Sequence, residues 1–148
     1  MYPTLPDILQ TDGARQQITA ECMALIQHEL DTKSGVSAAA LKIAYKAVTA
    51  FAPGYYQSTV EKLVPRMLHQ LQPFWADFQA GGGGRFGDYL VNRGEEVSEA
   101  LLRVTDHMAR GSSRGVVVKA YNAVRDGAGK HIEAALPSLG GLVERYAA

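Results

Sequence analysis

The segment Gly111-Ser112-Ser113-Arg114-Gly115 matches the G-x-S-x-G motif of α/β hydrolases, and Asp126 and His131 follow it in the matching order. In those enzymes the nucleophilic serine stands on a sharp turn between a strand and a helix, and the sheet holds the oxyanion hole. The sequence predicts no strand before Ser113. We therefore expect Ser113 to start a helix and cap its free backbone amides, and we assign no catalytic residue.

A second motif, Gly82-Gly83-Gly84-Arg85-Phe86-Gly87, matches the dinucleotide-binding pattern G-x-G-x-x-G. That pattern binds pyrophosphate where it joins a strand to a helix N-terminus. Here no βαβ unit surrounds it, and a run of glycines matches almost any glycine pattern. We interpret residues 80–87 as a glycine-rich linker and predict no nucleotide or other cofactor.

Two histidines, His28 and His107, occupy corresponding positions on the flanks of two amphipathic segments. A near-twofold arrangement would bring them together as metal ligands or as an acid–base pair. Alternatively, each histidine caps the last turn of its helix, where the helix dipole favours it. The chain has neither H-E-x-x-H nor E-x-x-H spacing, so no metal site is predicted.

Charge is unevenly distributed, although 15 basic and 15 acidic residues balance. Residues 32–60 and 107–125 contain basic side chains and no acidic ones. These stretches either face an anionic partner or pair with the chain's own acidic helices. Contact with nucleic acid is a weaker alternative, because a neutral chain has no overall attraction for phosphate. Its candidate residues are Lys42, Lys46, Lys119 and Arg125.

Tyr45 and Tyr121 are repeated aromatic residues in apolar surroundings. Either they belong to the core with their hydroxyls at a polar edge, or they line a pocket between two halves of the protein. Tyr56 has no counterpart, so a site could have been added beside it. The candidate ligand-binding residues are Tyr45, Tyr56, Tyr121, Lys46 and Lys119.

These residues belong to two copies of one helical unit. Ala44-Tyr45-Lys46-Ala47-Val48 recurs 76 residues later as Ala120-Tyr121-Asn122-Ala123-Val124. Residues before this segment in the first copy correspond to residues 79 positions later in the second copy, and residues after it correspond to residues 72 positions later. We predict one domain with pseudo-repeat 1 over about residues 14–78 and pseudo-repeat 2 over about 93–147, each of three helices.

Residues that break helices predict where these helices end. Pro53-Gly54 is predicted to end the second helix of the first copy, and Gly127-Ala128-Gly129 that of the second. Pro65 is predicted to kink or break the third helix of the first copy, and Pro137 that of the second copy. Pro73 is predicted to end the third helix of the first copy.

The expected fold class is all-α, a bundle of about six helices with a short extra helix near residues 6–10. The run Val116-Val117-Val118 could form a strand, but it corresponds to an alanine-rich segment, which favours a helix. A lone Cys22 cannot form an intrachain disulfide, which indicates a reducing cytoplasm. We expect no signal peptide and no membrane span, because the longest apolar runs fall far short of about 20 residues.

Part of the chain resembles an uncharacterised family of small bacterial helical proteins, a domain of unknown function. The resemblance is clearest over residues 33–78, and it implies a bacterial cytoplasmic origin without a known activity, substrate or catalytic residue. The segments that carry it are Lys33-Ser34-Gly35-Val36-Ser37, Ala44-Tyr45-Lys46-Ala47-Val48, Pro53-Gly54, Leu63-Val64-Pro65 and Leu71-Gln72-Pro73-Phe74-Trp75.

No set of reactive side chains converges in the sequence. The first hypothesis is therefore a non-enzymatic helical interaction or scaffold module of the bacterial cytoplasm, for which a homo-oligomer is one possible assembly. The alternative is a binding module for an apolar or amphipathic anionic small molecule, held in a cavity between the two repeats.

Overall fold

The structure is a computed structural model that describes residues 4–32 and 35–147. These residues form one 3-10 helix and six α-helices, without a strand among them, so the predicted all-α class is confirmed. No helix in these ranges is long and apolar enough to cross a membrane. The 3-10 helix covers Leu5–Gln10, and the α-helices are α1 (Ala14–Thr32), α2 (Val36–Phe51), α3 (Tyr55–Ala80), α4 (Phe86–Asn92), α5 (Gly94–Arg110) and α6 (Gly115–Ala147).

Four helices form a ring around the core. Each packs against two neighbours, in the order α1, α3, α5, α6 and back to α1. Within the described ranges, the diagonal pairs α1 with α5 and α3 with α6 have no Cα atoms within 8 Å of each other. The buried residues of α6 all lie in its C-terminal half, which is therefore the part that completes the ring. Apolar core positions include Ile18, Val64, Leu71, Val97, Leu136 and Val143.

Outside this ring, α2 packs chiefly against α6. Arg114, just before α6, places its guanidinium carbon 5.5 Å from the centre of the Phe51 ring, at the end of α2. The C-terminus of α2 therefore lies at the N-terminus of α6, and the two helices run antiparallel. No residue of α6 before Leu136 is fully buried, so this pair forms the less enclosed side of the molecule.

Corresponding positions make corresponding contacts. The backbone N–H of Leu5 donates to Gln72 Oε1 at 2.6 Å, and that of Phe86 donates to Glu144 Oε1 at 2.6 Å. Gln72 and Glu144 are 72 positions apart, the offset of the downstream repeat. Leu5 and Phe86 are 81 positions apart, close to the upstream offset of 79, so the predicted duplication would pair the 3-10 helix with α4.

The buried polar residues follow the same pattern. Thr19 and Ser98 are the polar side chains buried among the core residues that the structure describes, at 2% and 5% exposure. They are 79 positions apart, which is the upstream offset. One buried hydroxyl in α1 and one in α5 thus lie at positions that the predicted duplication would pair.

The predicted helix end at Gly127-Ala128-Gly129 is wrong, because α6 continues through it. A Cβ added to Gly129 would lie 3.8 Å from a methyl carbon of Leu102 on α5. This distance is an ordinary van der Waals contact, so Gly129 lies where α6 packs against α5, and this packing outweighs the cost of about 1 kcal/mol for each glycine in a helix.

Of the kink or break predicted at Pro65 and Pro137, no break is present, and the predicted end at Pro73 is wrong, since α3 and α6 are continuous. An internal proline costs about 3 kcal/mol. Buried apolar side chains on both sides of each proline offset that cost. Pro53-Gly54 does separate α2 from α3, with Gly54 in the left-handed region at φ 76°.

The glycine-rich linker is shorter than predicted, because α4 begins at Phe86. Its glycines at 82 and 84 have positive φ values of 78° and 91°. Beyond it, α4 crosses α6 with backbone against backbone. A Cβ on Gly87 would lie 2.9 Å from the carbonyl oxygen of Pro137, and one on Gly140 would overlap the backbone of Gly87.

Candidate functional site

Tyr121 lies in a polar network between α5 and α6. Its hydroxyl donates to Asp106 Oδ1 and lies 2.8 Å from Thr105 Oγ1. Arg125 holds the same carboxylate through Nε at 2.7 Å and a terminal nitrogen at 3.0 Å. The hydrogen bond from Arg125 is the largest cause that lowers the pKa of Asp106. Arg125 is therefore paired within the protein and is not a free basic side chain.

Tyr45 makes the corresponding contact in the first half of the chain. Its hydroxyl donates to Gln27 Oε1 at 3.0 Å, and Gln27 and Asp106 are 79 positions apart. The rings of Tyr45 and Tyr56 meet edge to face with centroids 5.3 Å apart. The Tyr56 hydroxyl is buried without a hydrogen-bond partner among the described residues, and burial raises its pKa to about 12. Tyr45 thus links α2 to α1, and Tyr121 links α6 to α5.

The exposed sides of α2 and of the first turns of α6 form what we call the α2–α6 face. Ile43 is 70% exposed, Val116 58% and Phe51 36%. Lys46 and Lys119, two predicted ligand residues, are also exposed here. The α2–α6 face consists of Ala39, Lys42, Ile43, Lys46, Ala50, Phe51, Val116, Lys119 and Ala123.

The two histidines singled out in the sequence are not brought together. His28 lies on α1 and His107 on α5, which are diagonal in the ring and have no Cα atoms within 8 Å of each other in the described ranges. His107 instead shares a surface groove with His69, which the sequence analysis missed. This α3–α5 groove has a volume of about 500 Å³ and lies between the two proposed units. Its lining residues are Pro65, Arg66, His69, Gln70, Arg103, Val104 and His107.

The groove is basic, because its lining includes two arginines and two histidines and no acidic residue. Val104 at its base is 6% exposed. The predicted ligand residues Tyr45, Tyr56, Tyr121, Lys46 and Lys119 line neither this groove nor the pocket at the glycine loop.

A pocket of about 650 Å³ lies beside the glycine loop. Its charges are compensated internally: Arg93 pairs with Asp77 at 3.1 Å, and the Tyr89 hydroxyl donates to the same carboxylate. Helix α3 precedes the loop in place of a strand, and Glu144 already accepts the first amide of α4. The G-x-G-x-x-G segment therefore lacks the free helix N-terminus that binds pyrophosphate.

The G-x-S-x-G segment forms a turn between α5 and α6, without a preceding strand. The Ser112 hydroxyl accepts the backbone N–H of Arg114 at 3.1 Å. Arg114 precedes the first residue of α6, so this bond forms a turn before the helix, and the helix cap expected from Ser113 is not made among the described residues. The corresponding Ser37 side chain lies outside the described residues.

In the described ranges no three His, Cys, Asp or Glu side chains lie together as a possible metal site. No curated protein and no solved structure matches the chain. The family of unknown function DUF6918 matches residues 5–147, which include the 3-10 helix and all six α-helices. The chain therefore belongs to the family of unknown function DUF6918.

Proposed function

We propose that the protein is a non-enzymatic interaction module whose α2–α6 face binds an acidic, amphipathic helix of another protein. The observation that carries this proposal is the clustering of exposed apolar side chains. Among the described residues, three of the four large apolar side chains that remain exposed lie on this face. Single exposed apolar residues are ordinary on protein surfaces, but a cluster is typical of a binding surface.

The charge around these apolar residues defines the partner. Lys46 and Lys119 are exposed beside Ile43 and Val116, and residues 32–60 contain no acidic side chain. An apolar stripe flanked by glutamate or aspartate complements this pattern, as in helix-in-groove recognition. A second copy of the chain would bring the same lysines together, so like-charge repulsion disfavours self-association through this face.

The test uses the full chain and a synthetic helical peptide with a leucine stripe flanked by glutamates. Amide NMR signals of α2 and of the first turns of α6 are expected to shift on titration. The Ile43→Glu variant is expected to weaken binding at least tenfold, because it removes apolar area and adds repulsion. Val91→Glu is the matched control, since Val91 is 48% exposed on α4, away from this face.

Four outcomes would overturn the proposal. In the first, a peptide with lysines in place of the glutamates binds equally well, and in the second, the chain forms a concentration-dependent dimer that Ile43→Glu abolishes. In the third, the chain binds anionic vesicles or DNA more strongly than the peptide, and in the fourth, the peptide does not bind at all. The vesicle and DNA titrations are run at two salt concentrations, because phosphate contacts weaken steeply with added salt.

The predicted alternative, an anion-binding module, has one observation in its favour. The basic α3–α5 groove lies between the two proposed units, where that alternative places its cavity. Its lining differs from the predicted residues, and it is treated next as a separate site.

A further inference from the structure

We propose that the α3–α5 groove is a binding site for a small multivalent anion, a phosphate or a carboxylate, attached to a compact apolar group. This inference is independent of the α2–α6 face, because the two surfaces share no residue.

Helical spacing brings four nitrogen-bearing side chains to the groove. Arg66 and His69 are one turn apart on α3, and Arg103 and His107 are one turn apart on α5. Two arginines on facing helices can approach an anion from both sides, and the planar guanidinium binds phosphate and carboxylate oxygens in pairs.

The four side chains are available for a ligand. Within residues 4–32 and 35–147, none of them makes a side-chain hydrogen bond or an ion pair. By contrast, Arg93, Arg125 and Arg145 each bind a carboxylate. Arg66 and Arg103 thus bring positive charge to the groove that no carboxylate of the described residues contacts, and an incoming anion would be attracted to both guanidinium groups.

The base of the groove is apolar. Pro65 and the buried Val104 lie between the two basic rows, and Gln70 adds an amide. A volume of about 500 Å³ is sufficient for a small organic molecule. This combination favours a phosphate or carboxylate joined to a short apolar group over a bare inorganic ion.

In the proposed duplication α3 corresponds to α6, and α5 corresponds to α1. The pair α6 and α1 indicates that packing does not require these charges. At the offsets of 72 and 79, Arg66 and His69 correspond to Ser138 and Gly141, and Arg103 corresponds to Ala24, whereas His107 corresponds to His28. Helices α1 and α6 pack with these small residues in place. Since the fold forms without arginines there, the basic side chains of the α3–α5 groove serve another purpose, for which we propose ligand binding.

The test measures binding to the full chain by isothermal titration and thermal unfolding at constant ionic strength. The probes are inorganic phosphate, pyrophosphate, citrate and phenyl phosphate. Pyrophosphate against citrate distinguishes a phosphate from a carboxylate ligand, and phenyl phosphate against inorganic phosphate measures the contribution of the apolar base. We expect at least one multivalent probe to bind and to raise Tm by roughly 10 °C at 100 times its Kd, and phenyl phosphate to bind more tightly than phosphate.

The double variant Arg66→Gln/Arg103→Gln is expected to lose at least 30-fold in affinity while its Tm without ligand stays the same or rises. The control Lys46→Gln/Lys119→Gln removes the same charge from the α2–α6 face and is expected to keep full affinity. Equal losses in both double variants would show non-specific ion binding and overturn the proposal. It is also overturned if none of the probes binds at 10 mM.

Discussion

Gln72 and Glu144 hold the two short helices at the same point, each through a side-chain oxygen that accepts the first backbone N–H of the helix. One lies on α3 and the other on α6, which are diagonal in the ring. The amide of Gln72 and the carboxylate of Glu144 accept at the same distance of 2.6 Å. The relationship links the 3-10 helix to α4, although their sequences share little beyond a buried apolar face.

Replacing either acceptor with alanine leaves a backbone N–H without its partner. We expect Gln72→Ala and Glu144→Ala each to lower the free energy of unfolding by about 1 kcal/mol, as for loss of a helix N-cap. Glu144→Gln should lose less than half of that, because an amide already serves this role at Gln72. Urea denaturation measures all three, and an effect of Glu144→Gln equal to that of Glu144→Ala would contradict the shared role.

The crossing of α4 over α6 makes a sharp prediction for two adjacent glycines. A Cβ at Gly140 would overlap the Gly87 backbone, so Gly140→Ala must push α4 away. We expect a loss of about 2–4 kcal/mol. Gly141→Ala is the control: its Cβ would meet nothing closer than 3.9 Å. Alanine is expected there to be neutral or to stabilise by up to about 1 kcal/mol. Thermal unfolding of both variants measures the difference in stability, and equal Tm values would contradict the prediction.

The contact of Asp106 with Arg125 predicts a pH dependence of stability. Because the pKa of Asp106 is lowered in the folded protein, its contribution is complete above the unfolded pKa of about 3.9 and disappears as the pH falls through the folded value. The side chains are 22% and 39% exposed, which limits the contribution to about 1 kcal/mol.

Asp106→Asn should therefore destabilise the protein at pH 6–7 and converge with the unmodified chain near pH 2–3. Urea unfolding at several pH values measures the difference, and a difference independent of pH would contradict the role of the ion pair. Glu99→Gln, an exposed carboxylate on the same helix, is the control and should show little effect at any pH.

The buried hydroxyl of Tyr56 predicts a stabilising substitution. It has no hydrogen-bond partner among the described residues, so Tyr56→Phe removes a desolvation cost and should be neutral or raise stability by about 1 kcal/mol. Tyr45→Phe keeps the same ring contact but loses the bond to Gln27, and its effect should stay within about 0.5 kcal/mol. A clear loss of stability in Tyr56→Phe would reveal a partner for this hydroxyl.

The sequence predicted the helical class and the short helix near residues 6–10, because apolar spacing on one helix is a local property. It failed where helices meet. Gly127-Ala128-Gly129 resembles a helix end when judged locally, but in the folded chain it is the place where α6 approaches α5.

The α3–α5 groove was missed for a similar reason. His107 was singled out, but its neighbour His69 is 38 positions away on another helix. Spacing along α3 shows that Arg66 and His69 share a face. It does not show that this face meets α5, since that depends on the order of helices in the ring.

The unbroken course of α6 gives the two halves of the protein different mechanics. In the first half a turn at residues 52–54 separates α2 from α3. The second half has no such turn, and α6 is a single helix of 33 residues, about 50 Å long. One continuous helix therefore joins the surface that carries Val116 and Lys119 to the buried residues Leu136 and Val143.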